Sequence, residues 1–409
     1  MKKTLLAIFV ICNTLLAEAQ TMEAEDKTME VGVEVPKTVE GGDSSKVVEK
    51  KEDNGLKLKD IFTVPKVSGY IIGQYNASFK DGDKSNTFTF RMIRLSLTGR
   101  ILGDFEWKLQ GQVNGNTSKL GDSPRLVDAY VEWQKFKEFR IKGGEFKRPF
   151  TFESPMNPID QGFIGYAQAI QKLSGYSDRT GEHSSNGRDI GVQIQGDLFP
   201  DANGRAWFHY QLGVFNGQGI NMKDVDNQKD IIGGAWIMPM KGMRIGAFGW
   251  VGSYARDGEW TDENGDTQSG VRKVGRHRYA ISAEWKDADW QVRGEYIHSV
   301  GGAFATTYQQ DEDADDATLS SKLGNRADGW YALCVAPIIR QKLRVKARYD
   351  CYRQNAEWGS SKTQYDFGFN YLICKYLEVQ TDYILNNDRT LSAGKHNYSQ
   401  VYVQMCVRF

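Results

Sequence analysis

Lys342-Leu-Arg-Val-Lys-Ala-Arg-Tyr-Asp-Cys351 places Leu343, Val345, Ala347, Tyr349 and Cys351 on one parity and Lys342, Arg344, Lys346, Arg348 and Asp350 on the other. Successive side chains of a strand point to opposite faces, so this segment predicts a strand with one greasy face and one charged face. The pattern recurs in Phe105, Trp107, Leu109 and Val113 against Glu106, Lys108 and Gln110. It returns in Tyr365, Phe367, Phe369 and Tyr371 against Gln364, Asp366 and Asn370. Alternation alone fits a soluble sandwich as well as a barrel whose charged face lines a pore.

Connection lengths separate these two. Short turns are predicted at Leu102-Gly103, Phe136-Lys137, Pro200-Asp201, Pro239-Met240, Asp287-Ala288, Pro337-Ile338 and Cys374-Lys375, with long polar loops between them at Arg148 to Gly187, Arg256 to Lys273 and Val300 to Asn325. Outer-membrane barrels have short periplasmic turns and long extracellular loops, an asymmetry that a sandwich has no reason to show. From about Val67 to Phe409 the chain divides into about sixteen segments, each near the ten or so residues that a tilted strand needs to cross a membrane. The expected fold is therefore all-β: a transmembrane antiparallel β-barrel of about 16 strands.

Both ends agree. Lys2 and Lys3, the apolar run Leu5 to Leu16 and the small residues Ala17 and Ala19 read as a secretory signal peptide over residues 1–19. Phe9, Val10 and Ile11 before Cys12 lack the small residues of a lipoprotein cleavage site. Residues 20–66 are rich in Glu, Lys, Asp, Thr and Gly over most of their length and read as a flexible periplasmic tether. Residues 67–409 form the barrel. At the far end Val401, Val403, Met405, Val407 and Phe409 alternate with Gln400, Tyr402, Gln404, Cys406 and Arg408, and the chain stops on the aromatic, like the terminal strand of bacterial outer-membrane proteins.

Composition is quieter. Hydrophobic residues make up 40% and charged residues 25%, with 43 glycines, and the mean hydropathy is −0.54. A closed barrel with a wet lumen needs apolar residues only at alternate positions, so a hydrophilic average is compatible with lipid. The formal charge is zero and gives no clue to partners. Cys334, Cys351, Cys374 and Cys406 remain after processing; none has a metal-ligand spacing, and single thiols are favoured over disulfides.

A family resemblance joins the argument at Arg91-Met-Ile-Arg94-Leu-Ser-Leu-Thr-Gly-Arg100. It continues through Asp128-Ala-Tyr130, Gly144-Glu-Phe-Lys-Arg148-Pro-Phe150 with Glu153, Gly187-Arg-Asp-Ile-Gly191 and Gly213-Val-Phe-Asn-Gly217. In order and spacing these resemble the phosphate-selective porin O and P family. The resemblance implies a trimeric sixteen-stranded barrel, a third extracellular loop folded into the lumen, and a ladder of arginines and lysines that guides small anions such as phosphate. The loop in that position is Arg148 to Gly187, with Pro155, Pro158 and a partly helical Ile159 to Lys172.

Fixed cations in a narrow tube act over longer range than on an open surface, and guanidinium forks suit phosphate oxygens. Motif position singles out Arg91, Arg94 and Arg148, and alternation singles out Arg344, Lys346 and Arg348 as pore residues. Asp128 would temper their field so that an anion can leave. The competing reading pairs these cations with facing carboxylates that stiffen the wall. Glu106, Asp128, Glu132, Glu284, Glu295, Asp366 and Asp382 also fall on lumen parities, and the alternation slips by one near Met92.

No catalytic triad or metal motif is recognisable; His183 reads as a loop residue and His298 as a strand residue. A chain of 409 residues cannot hold both a plug domain and a barrel of about 22 strands. A general porin, and a structural, adhesive or enzymatic barrel, stay open as alternatives. The acidic run Asp311 to Asp316 reads as a solvated loop more readily than as a cation site. The expected partners are outer-membrane lipid and lipopolysaccharide, further copies of the chain as a homotrimer, and small anions. No cofactor, metal or nucleic acid is implied.

Overall fold

The computed structural model describes residues 61–114, 124–307 and 317–409. The signal peptide, the tether up to residue 60 and the run Asp311 to Asp316 lie outside the described residues. The strands are β1 (Lys66–Lys80), β2 (Asp83–Ile101), β3 (Phe105–Gln112), β4 (Arg125–Trp133), β5 (Arg140–Lys147), β6 (Arg188–Pro200), β7 (Ala206–Phe215) and β8 (Asp230–Ile237). They continue as β9 (Met243–Thr261), β10 (Thr267–Asp287), β11 (Trp290–Val300), β12 (Arg326–Ile339), β13 (Leu343–Arg353), β14 (Ser361–Cys374), β15 (Leu377–Asp388) and β16 (Asn397–Arg408).

Each strand pairs with its chain neighbours and β1 pairs antiparallel with β16, so the sheet closes on itself. Closure leaves no unpaired edge, which a barrel in lipid requires. At the seam the Gly69 amide donates to the Phe409 carbonyl at 2.9 Å. The aromatic terminus is thereby fixed into the wall.

The predicted alternation is realised over most of β13 and in its neighbour β14: Val345 is 41% exposed and Phe367 50%, whereas Lys346 and Arg348 are 4% exposed on the inner face; Cys351, near the end of β13, is buried. Tight turns follow the even-numbered strands, as the connection pattern predicts. Two readings need correction. Pro337 and Ile338 lie within β12, at a bulge, and the turn follows Ile339. Arg256 to Lys273 is not a long loop, because β9 and β10 stay paired from Ala255↔Lys273 up to Thr261↔Thr267. The polar side chains there look like loop composition, but backbone pairing continues beyond the apolar band. The four described cysteines sit on β12, β13, β14 and β16 as free thiols.

The slip near Met92 is a β-bulge. Ile72 pairs with Met92 and Gly73 with Phe90, so Arg91 is the extra residue. A bulge leaves one residue unpaired and re-aims its neighbours. Arg91 therefore reaches inward, where its Nη1 donates to Gln404 Oε1 at 3.0 Å.

Gly144 lies in β5, a few residues before the long loop begins. Its φ is +128°, and a Cβ there would lie 2.2 Å from the Ala129 carbonyl oxygen and 2.8 Å from Tyr130 Cα. Pairing of β4 with β5 ends one residue later, at Ala129↔Glu145, while β5 stays paired with β6 up to Lys147↔Arg188, after which the chain leaves the wall. The Gly144→Val variant is expected to lose most of its heat-resistant folded form, because a backbone strain of about 1–3 kcal/mol is compounded by direct overlap. Refolding yield in detergent, read by heat-dependent gel mobility, checks this.

Candidate functional site

The segment Arg148 to Gly187, the third connection at the long-loop end, folds into the lumen. Its one α-helix, α1 (Gln168–Leu173), is shorter than the predicted Ile159 to Lys172. The remainder is turns, since Pro158 and Gly162 at φ +88° interrupt helical hydrogen bonding. Ala169, Ile170 and Leu173 of α1 are buried. Close approach is possible because Gly329 on β12 lacks a side chain: a Cβ there would stand 2.9 Å from that of Ala169.

Wall carboxylates grip the loop by its backbone. Glu295 Oε1 accepts the amides of Phe152 (3.0 Å) and Glu153 (2.8 Å), Asp382 accepts that of Ile164 (2.7 Å) and Asp350 that of Gln168 (2.8 Å). Wall cations grip the carbonyls: Lys346 donates to Gly162 at 3.1 Å, Arg348 to Gly165 at 3.0 Å and Arg278 to Leu173 at 2.8 Å. Aromatic edges fill the gaps, with Phe150 against Trp250 at 5.4 Å and Phe152 against Phe248 at 5.4 Å. Buried backbone groups of an irregular loop need such partners, and the lumen supplies them.

The loop is rooted at Trp250. The guanidinium groups of Arg148, Arg276 and Arg278 lie 4.9, 4.6 and 4.7 Å from its rings. Arg148 pairs with Glu182 at 3.0 Å and Asp189 at 2.8 Å. Arg276 pairs with Glu182 and, at 2.7 Å, with Asp230, which also accepts Trp250 Nε1 at 2.7 Å. Arg278 pairs with Asp178 at 2.7 Å. Burial alone would raise the Asp178 carboxyl, but Arg278 overrides it and holds it well below the usual carboxylate range. Arg148 thus stands in a fully buried bolt in which four carboxylates more than balance three arginines.

The cations chosen by alternation are balanced. Arg344 pairs with Glu378 at 2.7 Å, Lys346 with Asp382, and Arg348 with Asp366 at 2.9 Å. These are pairs across β13, β14 and β15, on the side of the lumen that the loop covers.

A different picture holds from β1 to β6. Arg94, fully buried, has neutral partners only: Gln112 Oε1 at 3.1 and 3.2 Å and the Tyr70 hydroxyl at 3.1 Å. Arg91 has Gln404. Lys147 donates to the Met156 carbonyl and to the Tyr166 hydroxyl at 2.8 Å. Arg125 has no hydrogen-bond partner at Nε or Nη2. None of these four is in an ion pair among the described residues. Asp128 answers a separate pair, Lys108 at 2.8 Å and Arg188 at 2.6 Å, leaving one carboxylate for two cations.

Two cavities open beside this sector. One, of about 190 Å³, is bordered by Lys108, Asp128, Lys142, Lys147 and Arg188. The other, of about 310 Å³, is bordered by Gln74, Arg91, Tyr166, Asn186 and Tyr402. The structure therefore separates the sequence-selected residues into two groups. Arg91, Arg94 and Asp128 stand on the β1–β6 side, and Arg148, Arg344, Lys346 and Arg348 take part in ion pairs. Lys147 and Arg188 lie inside the quoted motifs but were not selected; for Lys147 the irregular backbone at Gly144, φ +128°, breaks the alternation that would have placed it. Arg125 carries no motif signal.

This closed barrel resembles solved outer-membrane proteins across nearly the whole chain. The loop L8 deletion mutant of OmpT of Vibrio cholerae matches with a TM-score of 0.56 and 12% identity over 86% of this chain and 100% of that one. The outer membrane channel DcaP of Acinetobacter baumannii matches with a TM-score of 0.57 and 14% identity over 87% and 99%. OprB of Pseudomonas putida matches with a TM-score of 0.55 and 11% identity over 86% and 95%. OmpT of Vibrio cholerae has also been solved in a trimer form. No curated protein sequence matches the chain significantly. The closed sixteen-stranded antiparallel barrel has the fold of bacterial outer-membrane porins. The family model of phosphate-selective porin O and P matches residues 68–222, bearing out the resemblance carried by the motifs between Arg91 and Gly217.

Proposed function

We propose that the protein is a passive pore that favours small anions, phosphate included, and that solutes pass between the inward loop and the β1–β6 wall. The observation that carries this reading is the charge imbalance of that sector. Arg91, Arg94, Arg125 and Lys147 have no carboxylate in ion-pair range among the described residues, whereas the β13–β15 cations are each paired. Unbalanced cations beside a confined path raise the local anion concentration; balanced pairs contribute little field a few ångströms away. Asp128 beside Lys108 and Arg188 limits how tightly an anion is held, as conduction requires.

A channel is favoured over an enzyme because the histidines noted in the sequence are held by packing. His183 Nε2 meets the Ile220 carbonyl at 3.2 Å, and His298 stacks on Tyr279 at 5.2 Å. A homotrimer surrounded by lipopolysaccharide is proposed with it, supported by the family resemblance and the trimer form of OmpT.

The reversal potential of the purified protein in a planar bilayer under a KCl gradient tests the reading. It is expected on the anion side, with added phosphate reducing the chloride current. A cation-side potential would overturn it.

A further inference from the structure

Resting on that anion-favouring reading, we propose that the cavity between the loop and strands β1, β2 and β16 recognises an anionic polyhydroxy solute, such as a sugar acid or a sugar phosphate. Among the described residues the cavity, about 310 Å³, is bordered by a single cation, Arg91, whose guanidinium has one hydrogen-bond partner, Gln404. The other polar groups at its border are neutral. The side-chain amides of Gln74 and Asn186 and the Tyr402 hydroxyl make no hydrogen bond among the described residues, although Asn186 is only 5% exposed.

A bare anion offers only acceptors, so a site built for one needs donors alone. An amide brings a carbonyl acceptor with each donor, and a hydroxyl does the same. Groups of that kind match a solute that both donates and accepts, as a polyol does. Buried amides left without partners are unfavourable, which makes a ligand with matching hydroxyls preferable to one without.

The wall beside the cavity continues this chemistry. Gln404 Nε2 donates to Gln380 at 3.3 Å, Gln364 to Asn386 at 2.9 Å, and Asn386 to Gln400 at 3.1 Å, an amide belt across β14, β15 and β16. The rings of Tyr166 and Tyr402 supply apolar surface to the same cavity, suited to the C–H faces of a sugar. Arg91 would hold the carboxylate or phosphate, and the amides would hold the hydroxyls.

Current block in planar bilayers tests this with charge-matched pairs: gluconate against acetate, and glucose 6-phosphate against inorganic phosphate. The polyhydroxy member of each pair is expected to half-block at a concentration about tenfold lower. In the Gln74→Leu/Tyr402→Phe variant that advantage is expected to shrink at least about fivefold, because the partners of the hydroxyls are gone. Equal half-block within each pair, with an anion-side reversal potential in KCl, overturns this inference alone. A cation-side reversal potential overturns the anion-favouring reading and this inference with it.

Discussion

Arg276→Leu is expected to loosen the inward loop and raise single-channel conductance, while lowering the temperature at which the barrel loses its compact gel mobility. The guanidinium is fully buried and answers Glu182 from the loop and Asp230 from β8, with Trp250 packed beside it. Removing it leaves Asp230 without a cation and Glu182 with Arg148 alone. Breaking a buried pair from one side costs about 3–5 kcal/mol, mostly as the penalty of the stranded partner. That cost falls on the contact that ties the loop to the wall, so the structure relieves it by moving the loop. Arg344→Gln gives the contrast. Its pair with Glu378 is 30% exposed on the arginine side, and a partly solvated pair contributes no more than about 1 kcal/mol. Arg276→Lys is expected to fall between, since an ammonium cannot reproduce the fork that spans both acids.

The second large effect concerns charge. Arg91→Glu combined with Lys147→Glu is expected to carry the reversal potential across zero to the cation side and to abolish the reduction of current by phosphate. A cation about 8 Å from a passing anion, at an effective dielectric near 20, contributes about 2 kcal/mol, roughly thirtyfold in local concentration. Arg91 and Lys147 have no carboxylate to absorb that field among the described residues. Inverting both turns a surplus of cations into a balance or a deficit. A tube lined in that way enriches the opposite ion.

The sequence made the barrel legible because two periodicities coincide in it: a side-chain period of two and an alternation of short and long connections. Both follow from backbone geometry in a membrane, so strand number and closure could be anticipated from residues such as Leu343 to Cys351, whereas the inward fold of Arg148 to Gly187 was implied only by the family resemblance. The charge pattern was less legible. Alternation puts Arg344, Lys346 and Arg348 on the lumen face, but it cannot say that Glu378, Asp382 and Asp366 stand opposite them one or two strands away. Pairing between strands depends on register, and register is fixed by bulges that sequence shows only as slips. The bulge at Arg91 was visible in that way, as a break near Met92. The irregular backbone at Gly144, next to which β5 parts from β4, hid Lys147 from a period-two reading. Arg276, the root of the loop, lies on a strand whose alternation is clear, but only the fold brings Glu182 and Asp230 to it.

The central claim is that selectivity arises in the β1–β6 sector and not in the paired ladder of β13. Its most direct test is the reversal potential under a KCl gradient of three proteins side by side: the unaltered chain, the Arg91→Gln/Arg94→Gln/Lys147→Gln variant and the Arg344→Gln/Arg348→Gln variant. The account predicts a clear anion preference in the first, its loss in the second and its retention in the third. Loss in the third with retention in the second would contradict it and return the selectivity to the ladder.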